Sequence, residues 1–168
     1  MKENGTVILN ASQIENKINR IAWQLFEDNS NEQEIIIAGI NGNGFMLAQK
    51  LSEVLSDIST IKICLTEILI NKEEPFDHAI SIGLDPKEYQ DKVIILVDDV
   101  LNSGMTMIYG LKHFLNASLK KINTVALIDR NHNRFPIKAD YVGTRLSTSI
   151  LEHVTVIFDK DNTQALLS

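Results

Sequence analysis

An α/β fold with a mostly parallel central sheet follows from three features of the sequence. Residues 34–38 (EIIIA) are apolar after Glu34 and residues 93–97 (VIILV) are an unbroken apolar run, the pattern of strands covered on both faces. Each run enters a short loop of small and polar residues. Each loop then opens a segment of helical periodicity: Leu47, Ala48, Leu51, Val54 and Leu55 after the first, and Met107, Ile108, Leu111 and Leu115 after the second. Strand–loop–helix units in alternation stack their strands as a sheet and pack their helices on it. At 168 residues the chain is expected to be one domain, 1–168, large enough for a real core.

In chain order, Thr6 to Leu9 reads as a short strand. Ser12 and Glu15 have the spacing of a capping box, and Ile14, Ile18, Ile21, Ala22 and Leu25 follow at helical spacing. That helix is expected to end near Asn29–Asn31. The strand at 34–38 runs into Gly39-Ile40-Asn41-Gly42-Asn43-Gly44, whose three glycines let backbone amides wrap an anion. Thr60 to Ile70 reads as a third strand. The mixed stretch 71–85 carries Pro75, Gly83 and several charges, so only Ala79–Ile82 is expected to pair there. A turn at Asp85-Pro86-Lys87-Glu88 precedes the strand at 93–97. Thr124 to Ile128 is a further buried strand, ending at Asp129-Arg130-Asn131-His132, and Val154 to Phe158 is read as the last.

The chemistry concentrates in Lys92 to Gly110, KVIILVDDVLNSGMTMIYG. Asp98 and Asp99 stand where the strand is expected to end. Asn102, Ser103, Gly104, Met105 and Thr106 form a loop that opens a helix. In open α/β sheets the ligand lies outside the carboxyl ends of the strands. A helix start there offers unpaired N–H groups and the positive end of a dipole to a phosphate. Two carboxylates cannot bind phosphate, but they can accept hydrogen bonds from vicinal hydroxyls, or hold Mg²⁺ directly or through water. A ribose 5-phosphate meets both demands in one small molecule.

Composition narrows the alternatives. The net charge of −6 supplies no global basic field for nucleic acid, so RNA is not an expected partner. The single cysteine, Cys64, excludes an internal disulfide and a multi-cysteine zinc site, and its apolar surroundings suit a buried, inert thiol. The four histidines share no metal-ligand spacing. No apolar run is long enough to span a membrane and no signal-peptide pattern is present, so a cytoplasmic enzyme is expected.

The string VIILVDDVLNSGMT resembles the phosphoribosyl-pyrophosphate (PRPP) motif of the type I phosphoribosyltransferases: apolar strand, two acids, two apolar residues, then a [TS]-G-x-[TS] loop. The tail VALIDRNHNRFPIKADYVGTRLSTS is similar to a segment of the bifunctional pyrimidine-operon regulators that are also uracil phosphoribosyltransferases. There Asn131 stands in place of the usual glycine, and Asn41, Gly42, Asn43 in place of a basic K-T-R or R-T-R. The resemblance implies a parallel sheet with helices on both faces, plus a mobile hood over the site at about residues 68–85. It implies that Asp98 and Asp99 serve as catalytic acids, holding the ribose hydroxyls and, through them or water, Mg²⁺ as cofactor. Asn102 to Thr106 would take the 5′-phosphate, and Gly39, Ile40, Asn41, Gly42, Asn43 and Gly44 the pyrophosphate. Asp129, Arg130 and His132 would face the base. It also implies a homodimer or larger homo-oligomer.

The expected activity is Mg²⁺-dependent transfer of the phosphoribosyl group from PRPP to a free nucleobase. The uncharged glycine loop keeps a second reading open, a sensor on the same fold that binds PRPP or a nucleotide without turnover. An RNA-binding attenuator is the third. In the 6-oxopurine branch of the resembled family the residue before the [TS]-G pair is an Asp and the proposed general base. Here it is Asn102, which accepts no proton at neutral pH. Uracil is therefore expected ahead of hypoxanthine or guanine.

Overall fold

The structure is a computed structural model that describes residues 5–168. In order it contains β1 (Thr6–Leu9), α1 (Ala11–Asn29), β2 (Glu34–Ile40), α2 (Asn43–Ile58), β3 (Lys62–Leu69), β4 (Ser81–Ile82), α3 (Pro86–Tyr89), β5 (Val93–Leu101), α4 (Met105–Phe114), β6 (Lys121–Asp129), β7 (Tyr141–Arg145), β8 (Val154–Ile157) and β9 (Gln164–Leu167). The main sheet has the order β4-β3-β2-β5-β6-β7, and only the β3–β4 pair is antiparallel. β1, β9 and β8 form a small antiparallel sheet of their own.

The apolar runs are continuous because each strand is buried on both faces. Ile35, Ile37, Val93, Ile95 and Val97 pack with α1 and α2 on one side. Ile36, Ala38, Ile40, Ile94 and Leu96 pack with Met107 and Phe114 of α4 and Tyr89 of α3 on the other. Successive residues thus feed opposite cores, as the period of a strand requires. Tyr89 and Phe114 meet edge to face at 5.3 Å. Arg20 of α1 donates to the Val142 and Gly143 carbonyls at 3.0 and 2.7 Å, which covers backbone of the edge strand β7.

Topology fixes where a ligand can sit. From β2 the chain crosses through α2 to β3 on one side; from β5 it crosses through α4 to β6 on the other. The switch point lies between β2 and β5, so the crevice opens at their carboxyl ends. The glycine loop ends β2, and the two acids lie in the last part of β5.

Several local expectations need correction. The capping box of α1 is Asn10 with Gln13, not Ser12 with Glu15; Asn10 Oδ1 accepts from the Gln13 amide at 2.9 Å and Gln13 Oε1 accepts from the Asn10 amide at 2.9 Å. Asn caps as well as Ser, and the helix begins at the earlier of two competing boxes. β5 does not stop before the acids but pairs with β6 as far as Leu101. The turn at 85–89 closes into the short helix α3, capped by Asp85. In the 79–82 stretch only Ser81 and Ile82 pair. Val154–Ile157 is not the last strand, since β9 follows and pairs between it and β1. Cys64 is a free thiol only partly buried in β3.

Candidate active site at the β2–β5 switch point

Both crossover helices start on a glycine without a side-chain cap, whereas α1 and α3 carry complete capping boxes. Gly42 precedes α2 with φ 84° and ψ −131°, in open space. Gly104 precedes α4 in the left-handed region, φ 84° and ψ −2°. The two helix starts therefore present backbone N–H groups to the crevice rather than to their own side chains, a setting that favours anions. At α4 the Ser103 hydroxyl accepts weakly from the Met105 amide at 3.2 Å and keeps its own proton to donate.

The glycine loop is built by close approach. A Cβ on Gly39 would lie 2.5 Å from Phe45 Cα and 2.8 Å from Ala48 Cβ, so only glycine lets α2 turn back on the strand end. A Cβ on Gly44 would lie 2.9 Å from Asp98 Oδ1 and 3.0 Å from the Val97 carbonyl oxygen. Thus the expected pyrophosphate loop and the expected catalytic acid are in direct contact. The polar side chains of the loop are already engaged. Asn41 Oδ1 accepts from the Ile70 amide at 2.9 Å, tying the loop to the end of β3. Asn43 Nδ2 donates to the Val156 carbonyl at 2.8 Å, tying it to β8. An anion there meets backbone rather than these side chains.

Asp98 and Asp99 are 6% and 9% exposed. Asp98 lies against Gly44, in the first turn of α2. Asp98 Oδ1 accepts from the Asp99 amide at 3.0 Å. Burial, and then the neighbouring charge of Asp99, push the Asp98 carboxyl well above the ordinary carboxylate range. Lys72 brings its ammonium to 3.7 Å from Asp98 Oδ1 and opposes that shift. One half-exposed ammonium beside two buried acids leaves negative charge to balance, which suits a divalent cation. Among the described residues no group of three or more His, Cys, Asp or Glu could cage a metal. Mg²⁺ at Asp98 and Asp99 would accordingly share its shell with substrate oxygens and water, as it commonly does.

The segment after β6 wraps the start of α4. The Ser103 carbonyl accepts from the Arg134 and Phe135 amides at 2.8 and 3.1 Å, and Ile137 packs over Gly104. Asp129 Oδ1 accepts from the Asn131 amide at 2.8 Å, and its Oδ2 lies 3.7 Å from Arg145 Nε. Asn131 has φ 56°, so the position that is glycine in the resembled family needs a left-handed residue, and Asn tolerates it. Arg130 is 3% exposed: its guanidinium reaches Asn102, Thr148 and the Ser149 and Glu152 carbonyls. His132 Nε2 meets the Thr148 carbonyl at 2.6 Å.

The structure therefore joins Asn102, Ser103, Arg130 and His132 in one cleft of about 540 Å³, with Arg134, Ile150 and His153 also in its wall. Asp129 is not in that lining; its carboxylate is held by Arg145 and the Asn131 amide. Lys72 escaped the sequence reading, since a lysine in the run NKEEP looks like any solvated charge. The only signal was its place just past the strand that neighbours the glycine loop.

Comparison with known proteins identifies the family. The family described as "Phosphoribosyl transferase domain" matches residues 5–159. The chain is 33% identical to a "Bifunctional protein PyrR" of Geobacter sp. over 164 residues, 94% of this chain and 93% of the relative. It is 32% identical over 158 residues to a protein of the same name from Enterococcus faecalis, covering 89% and 87%. Among solved structures, hypoxanthine phosphoribosyltransferase of Trypanosoma cruzi superposes with TM-scores of 0.81 (16% identity, 100% of this chain and 87% of that one) and 0.76 (16%, 96% and 95%) in two crystal structures. At that identity the likeness speaks for the fold alone. No helix among the described residues is long and apolar enough to cross a membrane. The chain belongs to the phosphoribosyl transferase family and, within it, is similar to the bifunctional PyrR proteins.

Proposed function

We propose that this phosphoribosyltransferase transfers the phosphoribosyl group of PRPP to a free pyrimidine, uracil first, and releases pyrophosphate. The observation that carries the reading is the contact of Gly44 with Asp98 at the switch point, which sets one uncapped helix start directly against a buried acid pair. In this reading residues 102–106 seat the 5′-phosphate, residues 39–44 seat pyrophosphate with backbone amides, and Asp98 and Asp99 accept from the ribose hydroxyls. Lys72 supplies the cation that the glycine loop lacks, since its ammonium stands beside Asp98.

The chemistry follows the charge. The bond from the sugar carbon to the pyrophosphate oxygen breaks and its electron pair leaves with pyrophosphate. A ring nitrogen of the base supplies the new pair, and its proton goes to solvent. Mg²⁺, when bound with PRPP, stabilises the negative charge that gathers on the leaving oxygens. The protein contributes position and a fixed electrostatic setting: two helix starts toward the anions, and carboxylates toward the electron-poor ribose. The segment at about 68–85 carries Lys72 and lies beside the glycine loop through the Ile70 amide bond to Asn41; we assign it the role of hood. A dimer or larger assembly belongs to the same proposal.

The test is a side-by-side assay with PRPP and Mg²⁺ that compares kcat/KM for uracil, hypoxanthine, guanine and adenine. Uracil is expected to lead. A lead of more than about tenfold for hypoxanthine or guanine, about 1.4 kcal/mol of transition-state preference, would remove the pyrimidine assignment. The engaged side chains of Asn41 and Asn43 also support the sensor reading, because they leave the loop without a mobile polar group. PRPP binding without exchange of labelled pyrophosphate would favour that reading.

A further inference from the structure

The cleft outside α4 contains no carboxylate among its lining residues, and its most buried member is a cation. Arg130 has no acid among its hydrogen-bond partners. Nε donates to Thr148 Oγ1 at 3.1 Å, Nη2 donates to the Ser149 carbonyl at 3.0 Å and to the Glu152 carbonyl, and Nη1 donates to Asn102 Oδ1 at 3.3 Å. The first three bonds hold the turn at 148–152, which Glu152 closes by accepting from the Ser149 amide at 2.6 Å. The fourth reaches across to the start of the α4 loop and does something different.

Guanidinium has only donors, so the part of the Asn102 amide that faces it must be the oxygen. This fixes the amide against rotation. Nδ2 of Asn102, with two N–H donors and no hydrogen bond among the described residues, is then the end that the exposed side chain offers to the cleft. A free asparagine could offer either end. Here the buried Arg130, itself anchored by the 148–152 turn, selects one.

We infer that Arg130 is a positioning residue that turns the Asn102 amide nitrogen toward the base, so that Asn102 selects bases presenting a carbonyl or other acceptor at that point. This rests on the transferase reading above and deepens it by naming the feature of the base that is recognised. A 2,4-dioxopyrimidine meets the donor with a ring carbonyl. A base with an N–H in that place would set donor against donor and leave both unpaired, at the cost of a lost hydrogen bond. It also separates two roles that sequence reading merged: Arg130 acts through Asn102 and the 148–152 turn rather than on the base.

The experiment pairs base analogues with protein variants. kcat/KM is measured for uracil, 2-thiouracil, 4-thiouracil and pyrimidin-2-one in the wild-type protein, N102L, N102D and R130K, each with PRPP and Mg²⁺. One carbonyl replacement is expected to cost the wild-type protein roughly tenfold or more, the scale of one hydrogen bond with an unpaired partner. That ratio is expected to fall to within about threefold in N102L and R130K, because coupling disappears when either partner is removed. In N102D the carboxylate pairs with Arg130 and faces the cleft as an acceptor, so the preference for uracil is expected to fall further. The Asn102 side-chain amide resonances should also shift when uracil binds with PRPP, and less so with the thio-analogue that the wild-type protein disfavours. Should R130K not fold, N102L and the resonance shift decide the matter alone. An unchanged uracil-to-analogue ratio in N102L overturns the inference while leaving the transferase standing. Failure of every base to react with the wild-type protein overturns the transferase reading, and this inference with it.

Discussion

Replacing Gly44 by alanine probes the contact that joins the two halves of the site. Gly44 lies in the first turn of α2, where alanine is the better helix former, so local propensity favours the change by about 1 kcal/mol. Space opposes it. The new methyl would lie 2.9 Å from Asp98 Oδ1, 3.0 Å from the Val97 carbonyl oxygen and 3.1 Å from Asp98 Cα. Two of these three atoms are backbone of the central strand, buried and hydrogen-bonded to both neighbours, so α2 must lift rather than β5 yield. Overpacking of this kind costs about 1–3 kcal/mol. For a chain of this length each kcal/mol moves Tm by about 2–4 °C. After the propensity gain the net expectation is a fall of up to about 8 °C, together with at least a tenfold weaker calorimetric affinity for Mg²⁺–PRPP, because Asp98 and the loop amides separate. Gly42→Ala is the matched comparison. Its Cβ meets nothing within 4 Å, but its backbone, φ 84° and ψ −131°, is open only to glycine. It should destabilise through strain alone. If Gly44→Ala retained both wild-type Tm and wild-type PRPP affinity, the loop would not be read correctly as packed on Asp98.

Gly104→Val adds strain in the left-handed region to a contact 2.6 Å from Ile137 Cγ2. It is expected to cost at least about 2 kcal/mol and to exclude phosphate from residues 102–106; a structure of the variant with phosphate still seated there would refute this. Lys72→Gln should raise the Kd for Mg²⁺–PRPP by about three- to tenfold, a modest effect for a half-exposed ammonium, and an unchanged Kd in titration calorimetry would remove Lys72 from the site. Glu34 lies 2.9 Å from Lys92 and 3.2 Å from Lys62, which hold its carboxyl below the ordinary range. Its stabilisation is therefore present above the unfolded pKa and is lost as pH falls through the lower folded value. Glu34→Gln should cost about 0.5–1 kcal/mol at pH 7 and nothing near pH 2; urea melts that differ equally at both pH values would contradict the pairing.

What the sequence disclosed was what short-range pattern can carry. The runs at 34–38 and 93–97 are read correctly because burial on both faces leaves no polar position after Glu34 to blur them. The same logic failed at the strand end. Asp98 and Asp99 look like a terminus, yet β5 continues through them because β6 supplies partners to Leu101. β9 was missed for the opposite reason. QALL is four residues long and is a strand only because β1 and β8, far away in sequence, flank it. The cap at Asn10 lost to Ser12 on paper because two boxes overlap and only the path of β1 decides between them. At the site, Asn102 and Arg130 were both singled out from their places after strand ends. That one orients the other was not legible, since the 3.3 Å contact depends on a register between β5 and β6 that sets Leu101 opposite Asp129.

The central claim is that the acids of β5 and the two helix starts beside them perform phosphoribosyl transfer. The most direct measurement is nucleotide formation from PRPP, Mg²⁺ and uracil by the wild-type protein and by the double variant Asp98→Asn, Asp99→Asn, with circular dichroism to establish that both are folded. The account predicts uridine 5′-monophosphate and equimolar pyrophosphate from the wild-type protein, and a folded double variant whose rate is lower by at least about a hundredfold, roughly 2.7 kcal/mol of lost transition-state stabilisation. A folded double variant that works at the wild-type rate, or a wild-type protein that forms no nucleotide from any base, would contradict it.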